Sequence, residues 1–139
     1  MVIRFSARSA GMEAHPDGDY PFLMAGLSEY ADGSGRGLTF QCGLSEPDEQ
    51  DRALGMDSYC VSNELGLTEY GGVREVSLRN RTLRVVLDPN AAAGLGLDDA
   101  VIEVELEVDD ESVSQLRDGL RRILTYGPLE ARPEIVEPG

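Results

Sequence analysis

The stretch VREVSLRNRTLRVVLD, residues 73–88, decides the fold class of this chain. Two segments that alternate apolar with polar residues flank a central Asn-Arg dipeptide, which suits a two-residue turn. Such a turn sets Leu78 opposite Leu83 and Val76 opposite Val85, so both pairs lie on one face. Pattern and register therefore agree on a β-hairpin. Arginine is less favourable than glycine at the second turn position, which leaves the turn type open.

Similar alternation extends outward from this hairpin in both directions. It predicts further strands at residues 2–8, 21–31, 37–44, 58–65 and 100–108. The segment that follows residue 8 is predicted as a polar loop, because it is rich in turn-forming residues.

Two segments have helical character. A short helix is predicted at residues 90–93 and a longer one at 111–126, where Asp109 or Asp110 can cap the first turn. The sum is an α+β fold: a mostly antiparallel sheet of six or seven strands, with one longer C-terminal helix packed on it and one short helix.

The chain length of 139 residues indicates one domain. We expect residues 1–126 to form this single α+β domain. Three prolines and three glutamates within residues 127–139 predict a flexible, acidic, proline-rich tail.

Charge is the outlier in the composition. The chain has 26 acidic and 12 basic residues, all of the latter arginine, for a formal net charge of −14. A field of this sign disfavours nucleic acids and anionic membranes as partners and favours basic proteins. The lack of lysine excludes Schiff-base chemistry and a Walker-type phosphate loop.

The N-terminal segment MVIRF lacks the apolar core of a signal peptide, and no apolar run approaches the ~20 residues of a membrane span. Cys42 and Cys60 cannot make a disulfide framework and do not form a C-x-x-C pair. We therefore expect a cytoplasmic protein with two reduced thiols, and the oligomeric state stays open.

Few residues are suited to catalysis. The one histidine, His15, lies beside a proline in a turn-rich segment, and Ser28 lacks the G-x-S-x-G context of a nucleophile elbow. We expect no enzyme activity and no catalytic residues, no bound cofactor and no metal site. A hydrolase that uses paired carboxylates stays open as an alternative, because acidic residues are so plentiful.

Residues 100–108, AVIEVELEV, are the most informative segment for function. Their period of two places Glu103, Glu105 and Glu107 on the face opposite the apolar residues, about 6.5–7 Å apart. Such a row suits an Arg- and Lys-rich protein surface. The alternative is a solvated strand face, or a ladder in which Arg84 and Arg79 of a neighbouring strand neutralise the glutamates.

Residues 57–70 form a second candidate surface. Tyr59 and Tyr70 flank Glu64 and Glu69 around a predicted turn, and tyrosine is favoured at recognition surfaces. The alternative is that both tyrosines are half-buried sheet residues whose hydroxyls reach solvent.

Several short motifs of residues 58–124 resemble the immunity protein 10 family. They are SYCVSNE at 58–64, YGGV at 70–73, LRVVLD at 83–88 with a following alanine triplet, LGL at 95–97, the strand at 102–108 and LRDGLRRIL at 116–124. The resemblance implies an immunity protein of a bacterial polymorphic toxin system. Such proteins remain in the cytoplasm of the producing cell and bind a cognate toxin, and they have no catalytic residues to transfer.

Together these observations predict a protein that neutralises a basic cognate toxin through an acidic surface. The residues proposed for toxin contact are Glu64, Glu69, Tyr70, Glu103, Glu105 and Glu107. The alternative is a small ligand-binding domain or hydrolase that uses paired carboxylates, which predicts a concave apolar pocket with a carboxyl of raised pKa.

Overall fold

The computed structural model describes residues 2–16, 21–44, 49 and 59–126, together with the backbone of a strand at 134–136. These residues include ten strands and two α-helices, which we number in chain order. The strands are β1 (Ile3–Ala7), β2 (Ser9–His15), β3 (Phe22–Ser28), β4 (Gly37–Gly43), β5 (Cys60–Asn63), β6 (Thr68–Tyr70), β7 (Val73–Arg79), β8 (Thr82–Leu87), β9 (Val101–Leu106) and β10 (Glu134–Val136). The helices are α1 (Pro89–Gly94) and α2 (Asp110–Leu124).

The hairpin of β7 and β8 has the predicted register, with Leu78 opposite Leu83 and Val76 opposite Val85. At the turn, Asn80 has a φ of 54°, the left-handed conformation that a primed hairpin turn requires. The side chain of Arg81 explains why arginine stands at the second turn position. Its guanidinium donates hydrogen bonds to the Val108 carbonyl and the Asp110 carboxylate at the start of α2.

The described strands form two sheets. The first has the order β1-β9-β8-β7-β10, in which β7, β8 and β9 are antiparallel while β1 pairs with β9, and β10 with β7, in parallel. The second has the order β2-β3-β4-β5-β6 and is antiparallel throughout. The chain passes from the first sheet to the second at Arg8, whose amide donates to the Ser28 carbonyl at 3.0 Å.

One core lies between the inner faces of the sheets and α2. Asp109 caps α2 as predicted, since its carboxylate accepts from the Ser112 amide at 2.8 Å. The helix contacts β2, β3 and β4. Gly119 permits this close approach, because a Cβ there would lie 2.9 Å from the Cβ of Ala25. Tyr59 is fully buried and joins the sheets through its hydroxyl, which accepts from the Val73 amide at 3.1 Å.

The predicted fold class is confirmed: the protein is α+β and mostly antiparallel, with one longer C-terminal helix and one short helix. The strands number ten in the described residues and divide between two sheets, whereas six or seven in one sheet were predicted. The main addition is β2, in the predicted polar loop. Its Ala10, Met12 and Ala14 do alternate with polar or small residues, but alanine buries so little apolar area that the pattern is weak.

The predicted domain boundary at residue 126 stays a prediction, because residues 127–133 and 137–139 lie outside the described part of the chain. Within the predicted tail, the short strand β10 pairs with β7 at the edge of the first sheet. None of the helices that the structure describes combines the length and the apolar character needed to cross a bilayer.

Candidate functional site

The three strand glutamates lie on the outer face of the first sheet, as the period of two predicts. Glu103 and Glu105 alternate along β9 with residues that are almost completely buried, and Glu107 follows directly after the strand. Glu105 and Glu107 are exposed, whereas the Glu103 side chain is 27% exposed. We call these three residues the β9 row.

Arginines of the same chain approach two members of the β9 row. Arg4 lies opposite Glu103 in the parallel ladder of β1 and β9, and its Nε donates to Glu103 Oε1 at 2.9 Å. On the other side, Arg84 Nε lies 3.8 Å from Glu103 Oε2. Arg8 Nε lies 3.4 Å from Glu107 Oε2. The β9 row is therefore part of a mixed-charge network.

Glu105 is the exception in the β9 row. Its carboxylate accepts a hydrogen bond from the hydroxyl of Thr82 at 3.1 Å and forms no ion pair with any described residue. The neutralising ladder, given above as the alternative, thus holds for Glu103 through Arg84, whereas Glu107 is approached by Arg8, which was not predicted. Arg79 makes no ion pair within the described ranges.

The other three proposed residues belong to the hairpin of β5 and β6 in the second sheet. Glu64 is exposed at its tip. Glu69 is in register with the buried Val61, and its side chain lies against Gly94 of α1. Tyr70 is 44% exposed. Because adjacent residues of a strand point to opposite faces, the structure does not bring Glu69 and Tyr70 together.

Asn63 holds the tip of this hairpin in place. Its Oδ1 accepts from the amides of Leu65 and Leu67 at 3.0 and 3.1 Å, which closes the turn. Its Nδ2 donates to the carbonyl of Leu95 at 2.5 Å, which ties the turn to the chain after α1. Sequence reasoning missed this residue, although an asparagine three positions before a glycine is a recognisable turn signal.

The tip also presents apolar side chains to solvent. Leu65 is 76% exposed and Leu67 is 41% exposed. Glu64 stands beside them, and the exposed Asp98 lines the same cavity as Glu64 and Leu65. Neither Glu64 nor Asp98 forms an ion pair with any residue that the structure describes. We call Asn63–Leu67 and Asp98 the tip region.

The two cysteines are free and buried. Cys60 is in register with Gln41, so Cys42, the next residue along β4, points to the opposite face and cannot bond to Cys60. Burial raises the pKa of the Cys42 thiol to about 11 and also raises that of Cys60. Both thiols are protonated at neutral pH and are poor nucleophiles.

Nothing in the described residues favours the alternative of a hydrolase with paired carboxylates. The carboxyls with shifted pKa values are Asp32, Asp99 and Asp109, and each is lowered mainly by hydrogen bonds from a neighbouring turn or helix residue. A general acid would need the opposite shift. No group of three or more His, Cys, Asp or Glu side chains in this part of the chain is arranged to hold a metal ion.

Comparison with known proteins identifies the family of this chain. The family model described as Immunity protein 10 matches residues 6–114, which extend from β1 into α2. The chain belongs to this family, as its motifs indicated. No match was found among curated proteins, nor among solved structures.

Proposed function

We propose that this protein binds and neutralises a cognate toxin in the cytoplasm of the cell that produces both, and that it acts by binding and not by catalysis. The observation that carries the proposal is the match to the immunity protein family over most of the chain. The net charge of −14 supports a basic toxin as the partner.

The six residues predicted above, Glu64, Glu69, Tyr70 and the β9 row, are those proposed for toxin contact. They belong to both sheets, and Glu69 and Tyr70 point to opposite faces of β6, so they would meet different parts of the toxin. These residues contribute unequally to the field that a toxin meets. A carboxylate beside an arginine contributes little at long range, because the two opposite charges nearly cancel. Glu64, Glu69 and Glu105, which have no arginine partner in the described residues, therefore supply most of the attraction.

Binding then proceeds in two physical stages. The acidic surface speeds the encounter with a basic toxin and orients it, an effect that weakens as salt screens the charges. Exposed aromatic and apolar side chains such as Tyr70 and Leu65 then become buried and slow dissociation.

The test is co-expression of this protein with the toxin encoded beside its gene. We expect it to restore growth of cells that make the toxin and to purify with the toxin as a stable complex. The association rate of that complex should fall as ionic strength rises. A protein that neither protects the cells nor binds the toxin would contradict the proposal.

A further inference from the structure

Among the described strands, β1 forms one edge of the first sheet and has a neighbouring strand, β9, on one side only. Apart from this ladder, residues 3–6 make no backbone hydrogen bond to any part of the chain that the structure describes. An edge of this kind presents unpaired amides and carbonyls, to which a strand of another chain can add.

A groove follows this free edge. A cavity of about 190 Å³ is lined by Ile3 and Phe5 together with Leu65 and Leu97. A second cavity of about 520 Å³ is lined by the consecutive residues Arg4, Phe5 and Ser6. Phe5 and Arg36 line both cavities, so the two cavities are adjacent, and we call them together the β1 groove.

The lining of the second cavity shows where the groove lies relative to the strand. Successive side chains of a strand point to opposite faces of the sheet. A cavity that touches Arg4, Phe5 and Ser6 in succession must therefore lie against the edge of β1, where the backbone is accessible. Phe5 also points toward the core but is only partly buried, so its ring contributes apolar surface to the groove.

The two ends of the β1 groove differ in charge. At the Ile3 end are the unpaired carboxylates of Glu64 and Asp98, beside the exposed Leu65. At the other end, Arg4 and Arg8 line the groove, but their charges are engaged by Glu103 and Glu107. Arg36 lines both cavities and forms no ion pair with any described residue, so the Ile3 end has two carboxylates against one guanidinium and is acidic and apolar. At the other end the carboxylate of Glu29 offsets Arg36, and that end is nearly neutral.

We propose that the cognate toxin adds an extended segment to the free edge of β1. An apolar side chain of this segment packs against Leu65 and Phe5, and a basic side chain meets Glu64 and Asp98. The inference rests on the proposed function for the existence of a toxin. A second copy of this chain is a poorer occupant, because each copy carries a net charge of −14.

The first test is amide hydrogen exchange of residues 3–7 in the free protein and in the toxin complex. Alternate residues of an edge strand direct their amides away from the sheet, so about half of these amides should exchange rapidly in the free protein. We expect the rapidly exchanging half to become protected in the complex.

The second test compares two leucine variants in binding measurements. Leu65→Ser leaves the charge unchanged and removes the apolar anchor, so we expect the Kd to rise about tenfold or more. The matched control is Leu44→Ser. Leu44 is 38% exposed and directly follows β4. It lies six residues, or about 20 Å along the strand, from Leu38, which lines the groove. The Leu44→Ser variant should therefore keep the Kd within about twofold of the wild-type value.

The outcomes separate the inference from the proposed function. If the wild-type protein protects cells and binds toxin, but residues 3–7 exchange as before or Leu65→Ser behaves like Leu44→Ser, only the β1 groove proposal fails. If the wild-type protein neither protects nor binds, both fail. Protection of residues 3–7 that rises with protein concentration in the absence of toxin would assign the edge to a second copy and overturn the proposal.

Discussion

The protein has two acidic regions that differ in how their charge is balanced. In the β9 row, arginines from β1 and β8 lie within 4 Å of Glu103, and Arg8 lies 3.4 Å from Glu107. In the tip region, Glu64 and Asp98 have no such partner among the described residues, and they stand beside a leucine that is 76% exposed.

The difference follows from position in the fold. A strand inside a sheet has neighbours on both sides, and these supply cross-strand partners such as Arg4, which is 99 residues away from Glu103 in the chain. A hairpin tip has no strand beside it, so its charges remain available. A run of carboxylates in the sequence therefore identifies a free acidic surface only when the neighbouring strands are known.

The largest effect should come from removing the side chain that holds the tip region together. Asn63→Ala leaves the Leu65 and Leu67 amides and the Leu95 carbonyl without their partner. We expect the free energy of unfolding, measured by urea denaturation, to fall by about 2–3 kcal/mol, at about 1 kcal/mol for each lost hydrogen bond.

The matched control for this variant is Asn90→Ala. Asn90 is exposed in the first turn of α1; its backbone amide donates to the Asp88 carboxylate, and its side chain makes no hydrogen bond to any residue that the structure describes. Asn90→Ala should change the free energy of unfolding by no more than about 0.5 kcal/mol. If Asn63→Ala is no more destabilising than Asn90→Ala, the tip region is not held in place by Asn63.

A smaller effect should distinguish the two regions as sites of encounter. The double variant Glu64→Gln with Asp98→Asn removes two carboxylates that have no ion-pair partner among the described residues, whereas Glu103→Gln with Arg84→Gln removes one charge of each sign and leaves the net charge unchanged. We expect the first to slow toxin association several-fold at low salt and the second by less than about twofold, because the fields of two neighbouring opposite charges nearly cancel at a distance. Stopped-flow association rates provide the measurement, and the reverse order would place the encounter on the β9 row.

Local periodicity explains why much of the fold could be predicted. The register of β7 and β8, the alternation in β9 and the cap of α2 by Asp109 each depend on residues close together in the chain. The parallel pairing of β1 with β9 was not predictable in this way, because it joins segments almost 100 residues apart. The division into two sheets depends on such distant pairings.

The candidate site was predictable to a similar extent. The common face of the β9 row follows from the strand period alone, and Arg84 could be named as a partner because β8 and β9 are neighbours in the chain order of strands. Arg4 and Arg8 could not be named without the position of β1. Likewise, the sequence predicted a turn within residues 57–70, but the alternation of residues 58–65 suggested a strand that continues past Asn63 and so hid the role of Asn63 in closing that turn.

The smallest expected effect tests whether the balance within the β9 row contributes to stability. Arg84→Ala removes a guanidinium that lies 3.8 Å from Glu103 and 4.0 Å from Glu75. Because the Arg84 side chain is 41% exposed, we expect the free energy of unfolding to fall by only about 0.5 kcal/mol at low salt and by less in 1 M salt.

Arg79→Ala is the matched control, since Arg79 lies in the same hairpin, is exposed and forms no ion pair with a described residue. Both variants make the net charge one unit more negative, so general repulsion within the acidic chain cancels in the comparison. A difference that appears at low salt and vanishes at high salt would measure the contribution of the cross-strand pairs. Equal stability of the two variants at low salt would mean that Arg84 does not stabilise the fold through these carboxylates, and the charge of Glu103 would then be balanced by Arg4 alone.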